Sequence, residues 1–153
     1  MGNVFDTAEY IVHLCGPVSA VRLQALCYYA QGWSLAWTSK PLFPEKFYAR
    51  ETGAFCSELE AALKGYPLFL TDGTFPKGLH DRKHPLTPDE KDTVRRVVKY
   101  YTRHGNHQAL QGWISEEDPW KKAREKQESS AASLPVITKK SMGNYYRSVM
   151  ESA

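Results

Sequence analysis

The chain is poor in the features that mark membrane, secreted and nucleic-acid-binding proteins. No apolar run approaches the roughly 20 residues that are needed to cross a bilayer. The N-terminal stretch has no basic region followed by an apolar one, as a signal peptide would have. Twenty Lys and Arg against seventeen Asp and Glu leave a net charge of +3, which by itself favours neither nucleic acid nor a membrane as partner. We therefore expect a cytoplasmic protein.

Cysteine and catalytic motifs are scarce as well. Cys15, Cys27 and Cys56 are odd in number and widely spaced, which argues against a disulfide framework or a zinc site and favours buried thiols in a reducing compartment. His80 and His84 lie in a proline-rich segment, so their spacing does not define a helical metal site. No GxSxG, P-loop, HExxH or GxGxxG motif is present. We expect no catalytic residue, no metal and no cofactor, hence a protein that is not an enzyme.

What the chain does contain is an ordinary globular composition. Hydrophobic residues make up 42% of the 153 residues and charged residues 24%, values close to those of soluble domains with a proper core. We predict that residues 1–153 form a single domain. Residues 66–86, with their prolines and glycines and few apolar repeats, are expected to form a surface excursion. The small, polar stretch 127–134 is expected to be a flexible loop.

Residues 19–38 are predicted to form a central buried helix. Ser19 is placed to cap it. Apolar side chains recur at 3.6-residue spacing on one side, yet Tyr28, Tyr29 and Leu35 occupy much of the other, and a helix that is apolar nearly all round is normally buried. The predicted fold class is therefore mainly α: a compact helical fold around this helix, with a short β element near 46–50.

Other helices are predicted from capping residues and periodicity. Asp6 with Glu9, and Thr87 with Glu90, have the spacing of capping boxes. Ser57 is placed to cap a short helix that continues to Leu63. Further helices are expected at 107–114, at 119–126 and from Thr138 onward.

The helix that begins after Thr87 has a basic face opposite its valines. This face consists of Arg95, Arg96, Lys99 and Arg103. It is either a solvated surface, supported by an ion pair between Asp92 and Arg96, or a contact for an acidic protein surface or for nucleic-acid phosphates.

Several aromatic residues are candidates for partner binding. Tyr28, Tyr29 and Trp33 are either core residues of the central helix or anchors for a partner, since aromatic side chains dominate interface hot spots. Trp120 is expected to fold back onto the core, with an interface role as the alternative. Together with the four basic residues of the preceding paragraph, these form the predicted partner-binding set.

Five blocks of the chain resemble the Panacea (SocA-like) antitoxin family. Residues 22–36 read RLQALCYYAQGWSLA, which is similar to the family's KLQKLLYYAQGW helix, and the following KPLF resembles its GPLF turn. ARETGAF at 49–55 is similar to AWxxGPV, with Arg50 for Trp and Ala54 for Pro. EDPWKKAR at 117–124 resembles the HxExPW block, and residues 137–146 resemble the closing ITxxxMxxY helix. The blocks occur in the family's order, and the resemblance as a whole covers about residues 4–150.

This resemblance implies an antitoxin of a type II system that neutralises a co-encoded toxin by direct protein–protein binding. Such antitoxins are paired with varied toxins, including alarmone-synthetase-like ones, and some are phage-associated, which suggests a setting in prophages or phage defence. Two alternatives remain: a proteolytic adaptor that delivers a toxin to a host protease, and a nucleic-acid-binding regulator. Nucleic acid is the less favoured partner, and no membrane partner is expected.

Overall fold

The computed structural model describes residues 1–79, 84–104, 109–126 and 134–152. Its helices are α1 Val4–Cys15, α2 Ala20–Thr38, α3 Ser57–Leu63, α4 Pro88–His104, α5 Ala109–Ile114, α6 Asp118–Lys126 and α7 Lys139–Ser152. Its strands are β1 Val18–Ser19, β2 Phe47–Arg50, β3 Gly53–Phe55, β4 Phe69–Leu70 and β5 Val136–Ile137. The predicted mainly helical fold is confirmed.

Helix α2 is the centre of the fold, as the sequence predicts. Residues 22–32 are all buried, and α1, α4, α5 and α7 pack around them. Ser19 caps the helix through a 3.2 Å hydrogen bond that its hydroxyl accepts from the Arg22 amide. Ser39 ends the helix in the left-handed conformation, with φ of 60°. Four neighbouring helices leave α2 little contact with water, which explains why it is apolar on nearly every side.

The strands form two small antiparallel sheets. In one, β2 lies between β3 and β5, with Ala49 opposite Ala54 and Phe47 opposite Ile137. In the other, β1 pairs with β4. The predicted short β element near 46–50 is confirmed as β2. The two-residue strands β1, β4 and β5 were not predicted, because two residues are too few to show an alternating pattern.

Besides the start of α2 at Ser19, two predicted helix starts are confirmed, and two are wrong by a short distance. The first helix is capped by Asn3, whose side chain accepts from the amides of Phe5 and Asp6, so the prediction of Asp6 with Glu9 lies one turn too late. Cys56 occupies the cap position of α3, with no side-chain cap bond. Ser57, the predicted cap, is therefore the first helical residue.

The two further confirmed starts are those of α4 and α7. The Thr87 amide donates to the Glu90 carboxylate at 2.9 Å, and the Glu90 amide donates to the Thr87 hydroxyl at 3.1 Å. These reciprocal bonds are those of a capping box. Thr138 caps α7 by accepting from the Ser141 amide at 3.1 Å.

The predicted excursion at 66–86 is exposed in part and attached to the core. Leu68 is 77% exposed and Phe69 50%, whereas Leu70 and Phe75 are buried. Strand β4 fastens the segment to β1, beside the start of α2. The predicted loop at 127–134 lies outside the described residues except for Leu134, as do His80 and the start of the helix predicted at 107–114.

Buried amide side chains fasten the segment 42–56, which we call the clamped segment, to the helices. Gln31 donates to the Phe43 carbonyl and accepts from the Leu42 amide. Gln24 does the same with the carbonyl and amide of Cys56. Both are bidentate contacts of 2.7–3.0 Å. They satisfy backbone groups that burial would otherwise leave unpaired at a cost of about 1–3 kcal/mol each.

The β2–β3 hairpin within the clamped segment has two further supports. Gln111 accepts from the Ala54 amide at 2.8 Å and donates to the Ala54 carbonyl at 3.0 Å. The Trp120 indole N–H donates to the carbonyls of Arg50 and Gly53. The hairpin is thus held from α5 and α6.

Helices α2 and α7 approach closely at Gly32. A Cβ atom added there would lie 2.6 Å from Cε2 of Tyr146, well inside van der Waals contact. The absent side chain lets the Tyr146 ring lie flat against α2. This contact positions the tyrosine whose hydroxyl reaches the site described next.

Candidate functional site

An open groove of about 600 Å³ lies between α2, α4, α5 and α7. We call it the aromatic groove. It is lined by Trp33, Trp37, Arg96, Val97, Tyr100, Tyr101, Trp113, Glu117, Tyr145, Tyr146, Val149 and Met150. Its volume is within the range of ligand-binding clefts, and its lining is mostly aromatic with few polar groups, as in such clefts.

Ring packing fixes the inner walls of the aromatic groove. Trp33 lies 5.3 Å from Trp37 and 5.1 Å from Tyr146, measured between ring centroids. Its indole N–H donates to the Tyr101 hydroxyl at 2.9 Å. Tyr101 in turn stacks on Tyr29 at 4.0 Å. Rings that are held by several neighbours form a surface that needs little rearrangement to receive a partner.

The mouth of the groove exposes large apolar side chains. Tyr100 is 55% exposed, Met150 43%, and Trp37 and Val149 39% each. Four such side chains around one cavity are unlike the scattered exposed apolar residues of an ordinary surface. Grouped exposure of this kind is typical of a site that another molecule covers.

Glu117 lies on the floor of the groove, in the turn between α5 and α6. Its Oε1 accepts from the Tyr146 hydroxyl at 2.7 Å and from the Tyr29 hydroxyl at 3.2 Å. Burial raises the pKa of Glu117 to about 7, although the two tyrosine hydrogen bonds act in the opposite direction. Within the described parts of the chain, Oε2 has no hydrogen-bond donor.

The tyrosines around Glu117 act as fixed donors. Burial raises the pKa of Tyr29, and the nearby Glu117 carboxylate raises it further. Burial also raises the pKa of Tyr146. Both hydroxyls therefore stay protonated and hold one carboxylate oxygen, which leaves the other without a donor among the described residues.

The structure places the predicted basic residues on the outer face of α4. Arg96 lines the groove and pairs with Asp92 at 3.1 Å, so the predicted ion pair is confirmed. Arg95 donates to the Tyr10 hydroxyl at 2.8 Å and lies 3.6 Å from Asp92. Lys99 and Arg103 are exposed on the same helix. Asp92 thus offsets part of the positive charge of this face.

The predicted aromatic anchors separate into three kinds. Tyr28 and Tyr29 are fully buried, so as core residues they offer no surface to a partner, and the interpretation of these two as contact residues is corrected. Trp33 is half-buried and lines the groove. Trp120 is half-buried beneath the hairpin, away from the groove, with the Arg124 guanidinium 5.6 Å over its ring. The hydrogen bonds of the Trp120 indole to the carbonyls of Arg50 and Gly53 stabilise the β2–β3 hairpin.

Several groove residues were not singled out from the sequence. Trp37, Tyr100 and Val149 can be noticed in the sequence, because each is an aromatic or apolar residue next to a buried stripe. The sequence does not show that they are exposed, because their exposure depends on how four helices meet. Glu117 stands in the run Glu116-Glu117-Asp118, which is typical of a solvated turn. Its one signal is its match to the Glu of the HxExPW block.

A second cavity, of about 840 Å³, lies between the N-terminus and the start of α4. Several of its polar side chains already have partners within the fold: Thr87 and Glu90 form the capping box, and Ser34 donates to the Lys40 carbonyl at 2.7 Å. No Trp, Tyr or Phe lines the part of this cavity that the structure describes. The aromatic groove is the better candidate for a binding site.

The described residues contain neither a metal-binding cluster nor a membrane-spanning helix. No group of three or more His, Cys, Asp or Glu side chains there is arranged to hold a metal ion. None of the helices in the described ranges is long and apolar enough to cross a membrane. All three cysteines are free thiols, and burial raises the pKa of Cys56 to about 12.

The fold and the groove together define a mainly helical domain with one aromatic surface built around a central helix. The model of the family described as antitoxin SocA-like, Panacea domain, matches residues 23–121, more than half of the chain. The chain belongs to this family. No significant match is found among curated proteins or among solved structures. Membership of an antitoxin family implies a toxin as the partner.

Proposed function

We propose that this protein is the antitoxin of a type II toxin–antitoxin system and neutralises a co-encoded toxin by binding it directly at the aromatic groove. The observation that carries the proposal is the group of exposed side chains at the mouth of that groove, in a domain of an antitoxin family. Partly exposed Trp and Tyr side chains on a rigid base are the usual anchors of protein interfaces. The protein acts stoichiometrically, not as an enzyme.

The contact residues we propose lie at the groove and its rim. Trp37 and Tyr100 provide the aromatic anchors, and Arg96 lies beside them on the same surface. Lys99 and Arg103 extend that surface along α4 for an acidic region of the toxin. Since the ion pair with Asp92 already holds Arg96, the rim charges contribute to orientation and association rate more than to affinity.

The test is rescue of growth when the protein is co-expressed with the toxin encoded beside it. We expect the double variant Trp37→Ala, Tyr100→Ala to lose rescue and complex formation. It should still unfold cooperatively, at a somewhat lower temperature because Trp37 no longer packs on Trp33. Leu68→Ala, at an exposed apolar residue outside the groove, is the matched control and retains rescue. Full rescue by the double variant would contradict the proposed site.

Two measurements separate direct neutralisation from the alternatives. A proteolytic adaptor shortens the half-life of the toxin in cells that have the host protease, whereas a binding antitoxin leaves it unchanged. A nucleic-acid-binding regulator shows steep salt dependence of DNA or RNA binding, which is lost when Lys99 and Arg103 are replaced. We expect an unchanged half-life and no such nucleic-acid binding.

A further inference from the structure

The floor of the aromatic groove combines two features that together indicate what kind of group binds there. One is the Glu117 carboxylate, whose Oε2 has no donor among the described residues, and the other is the set of Trp and Tyr rings that line the same groove. An ionised carboxylate in apolar surroundings is unfavourable unless an opposite charge or donors compensate it. Within the described protein, the two tyrosine hydroxyls compensate only Oε1.

The rings supply the second half of the argument. The faces of Trp and Tyr carry negative electrostatic potential and attract cations, and Trp does so most strongly. Trp33, Trp37 and Trp113 all line the groove. A carboxylate surrounded by such rings favours a positively charged group over a neutral one of the same shape.

The charges around the floor agree with a cationic occupant. Arg96 is the one cation among the described residues that line the groove, and Asp92 holds its guanidinium at 3.1 Å. Glu116 adjoins Glu117 in the chain and its charge disfavours ionisation of Glu117. Among the described residues that line the groove, no cation is therefore left to pair with Oε2 of Glu117.

We propose that the aromatic groove receives a lysine or arginine side chain of the partner protein, whose charged end pairs with Oε2 of Glu117 while its alkyl stem lies against the Trp and Tyr rings. This inference rests on the proposed function, because it names the chemistry that the toxin presents to the groove. A basic side chain offers the needed donors together with an apolar stem. A wholly apolar anchor would leave the carboxylate uncompensated.

The test uses the intact protein labelled with ¹⁵N and four capped amino acids as probes. Nα-acetyl-lysine and Nα-acetyl-arginine methylamides are the cationic probes; the norleucine and citrulline methylamides are their neutral counterparts. The four tryptophans give four indole N–H signals. We expect the cationic probes at pH 8 to shift the signals of Trp33, Trp37 and Trp113 and to leave Trp120 unmoved, with neutral probes about fivefold weaker.

Two neighbouring glutamates provide the matched variants. Glu117→Gln keeps an acceptor oxygen for the tyrosine hydroxyls but removes the charge, so the preference for cationic probes disappears. Glu116→Gln removes a charge that is exposed and outside the groove lining, and the preference stays. Equal affinity for cationic and neutral probes in the wild type, or equal loss in both variants, would overturn the proposal. Tighter binding of the free diamine putrescine than of either cationic probe would also overturn the proposal, because it would indicate a small-molecule amine as the occupant.

A pH series tests the same pairing without any variant. The described groups that interact with Glu117 are Tyr28 and Tyr29 on α2, Tyr101 on α4 and Tyr145 and Tyr146 on α7, with Glu116 beside it in the chain and Arg96 on the rim. The raised pKa values of the tyrosines keep them neutral between pH 6 and 8, so among these groups only Glu117 gains charge there. The affinity for the lysine probe is expected to rise about tenfold from pH 6 to pH 8. A flat profile would contradict the pairing.

The two proposals fail separately. If rescue of growth needs Trp37 and Tyr100 but no cationic preference exists, the groove binds the toxin through another chemistry and only the present inference is wrong. If the probes bind as expected but rescue is indifferent to the groove, the proposed toxin site is wrong.

Discussion

The clamped segment and the aromatic groove lie on different sides of α2 and treat buried polar groups differently. Along the clamped segment, Gln24, Gln31 and Gln111 each use both ends of the amide on backbone partners. At the groove, Glu117 uses one oxygen only within the described residues. A polar group with every partner supplied by its own chain is part of the fold. One that keeps an unused acceptor beside exposed aromatic rings is available to another molecule.

The largest expected effect lies in the clamped segment. Gln24→Leu removes both hydrogen bonds to Cys56 and leaves a buried backbone N–H and C=O without partners. We expect the free energy of unfolding to fall by about 3 kcal/mol, measured by urea denaturation. An unchanged free energy of unfolding would show that apolar packing can replace the Gln24 hydrogen bonds. The contrast between the clamped segment and the aromatic groove would then disappear.

The second prediction concerns the close contact between Gly32 on α2 and the Tyr146 ring on α7, which positions one wall of the aromatic groove. In Gly32→Ala the new methyl group meets the Tyr146 ring, so the ring or α7 must shift. We expect a loss of about 2 kcal/mol in unfolding free energy, as for overpacked cores. Gly112→Ala is the control: a Cβ there meets nothing within 4 Å, and alanine favours the helix by roughly 0.5–1 kcal/mol. The two substitutions should therefore differ in sign.

The third prediction is a pH dependence of stability that belongs to the groove. The pKa of Glu117 is raised to about 7 in the folded protein, so the proton it retains stabilises the fold at low pH. That contribution is complete below the unfolded pKa near 4.3 and is lost as the pH rises through 7. Relative to Glu117→Gln, the wild type should lose about 1.4 kcal/mol between pH 6 and pH 8.

Urea denaturation of both proteins at several pH values measures this difference. The Gln variant keeps the neutral acceptor at every pH, so subtracting its curve removes the contributions of all other groups. A constant difference across the range would mean that Glu117 ionises in the folded protein as it does in water, and the contrast between the groove and the clamped segment would lose its electrostatic basis.

Local signals in the sequence account for the elements that were predicted well. Ser19 and Thr87 are strong caps, and α2 reads as buried because both of its sides are apolar. The error at Asp6 arose because several residues within one turn have capping chemistry. The error at Ser57 arose because the cap position holds Cys56, which makes no side-chain cap bond. Asn3 with Asp6 has the same spacing as Asp6 with Glu9, and nothing local decides between them.

The groove itself was not predictable by the same means. It is assembled from residues on four helices that are distant in the chain, and one sequence carries no record of which helices meet. Trp33 was singled out, yet its neighbours Tyr28 and Tyr29 are fully buried, because exposure depends on where α4 and α7 stop covering α2. The role of Glu117 depends on two hydroxyls, one of them from α7.

The packing of α7 on α2 has a consequence for how the chain reaches its native state. Arg147 donates to the Leu35 carbonyl at 3.1 Å, and Gly143 lies against Leu35, contacts that join residues more than a hundred positions apart. Loop closure over such a distance makes folding slow. During synthesis the central helix keeps an uncovered apolar face until residues 139–152 have left the ribosome. We therefore expect chains that lack α7 to expose apolar surface of the kind that chaperones and proteases recognise.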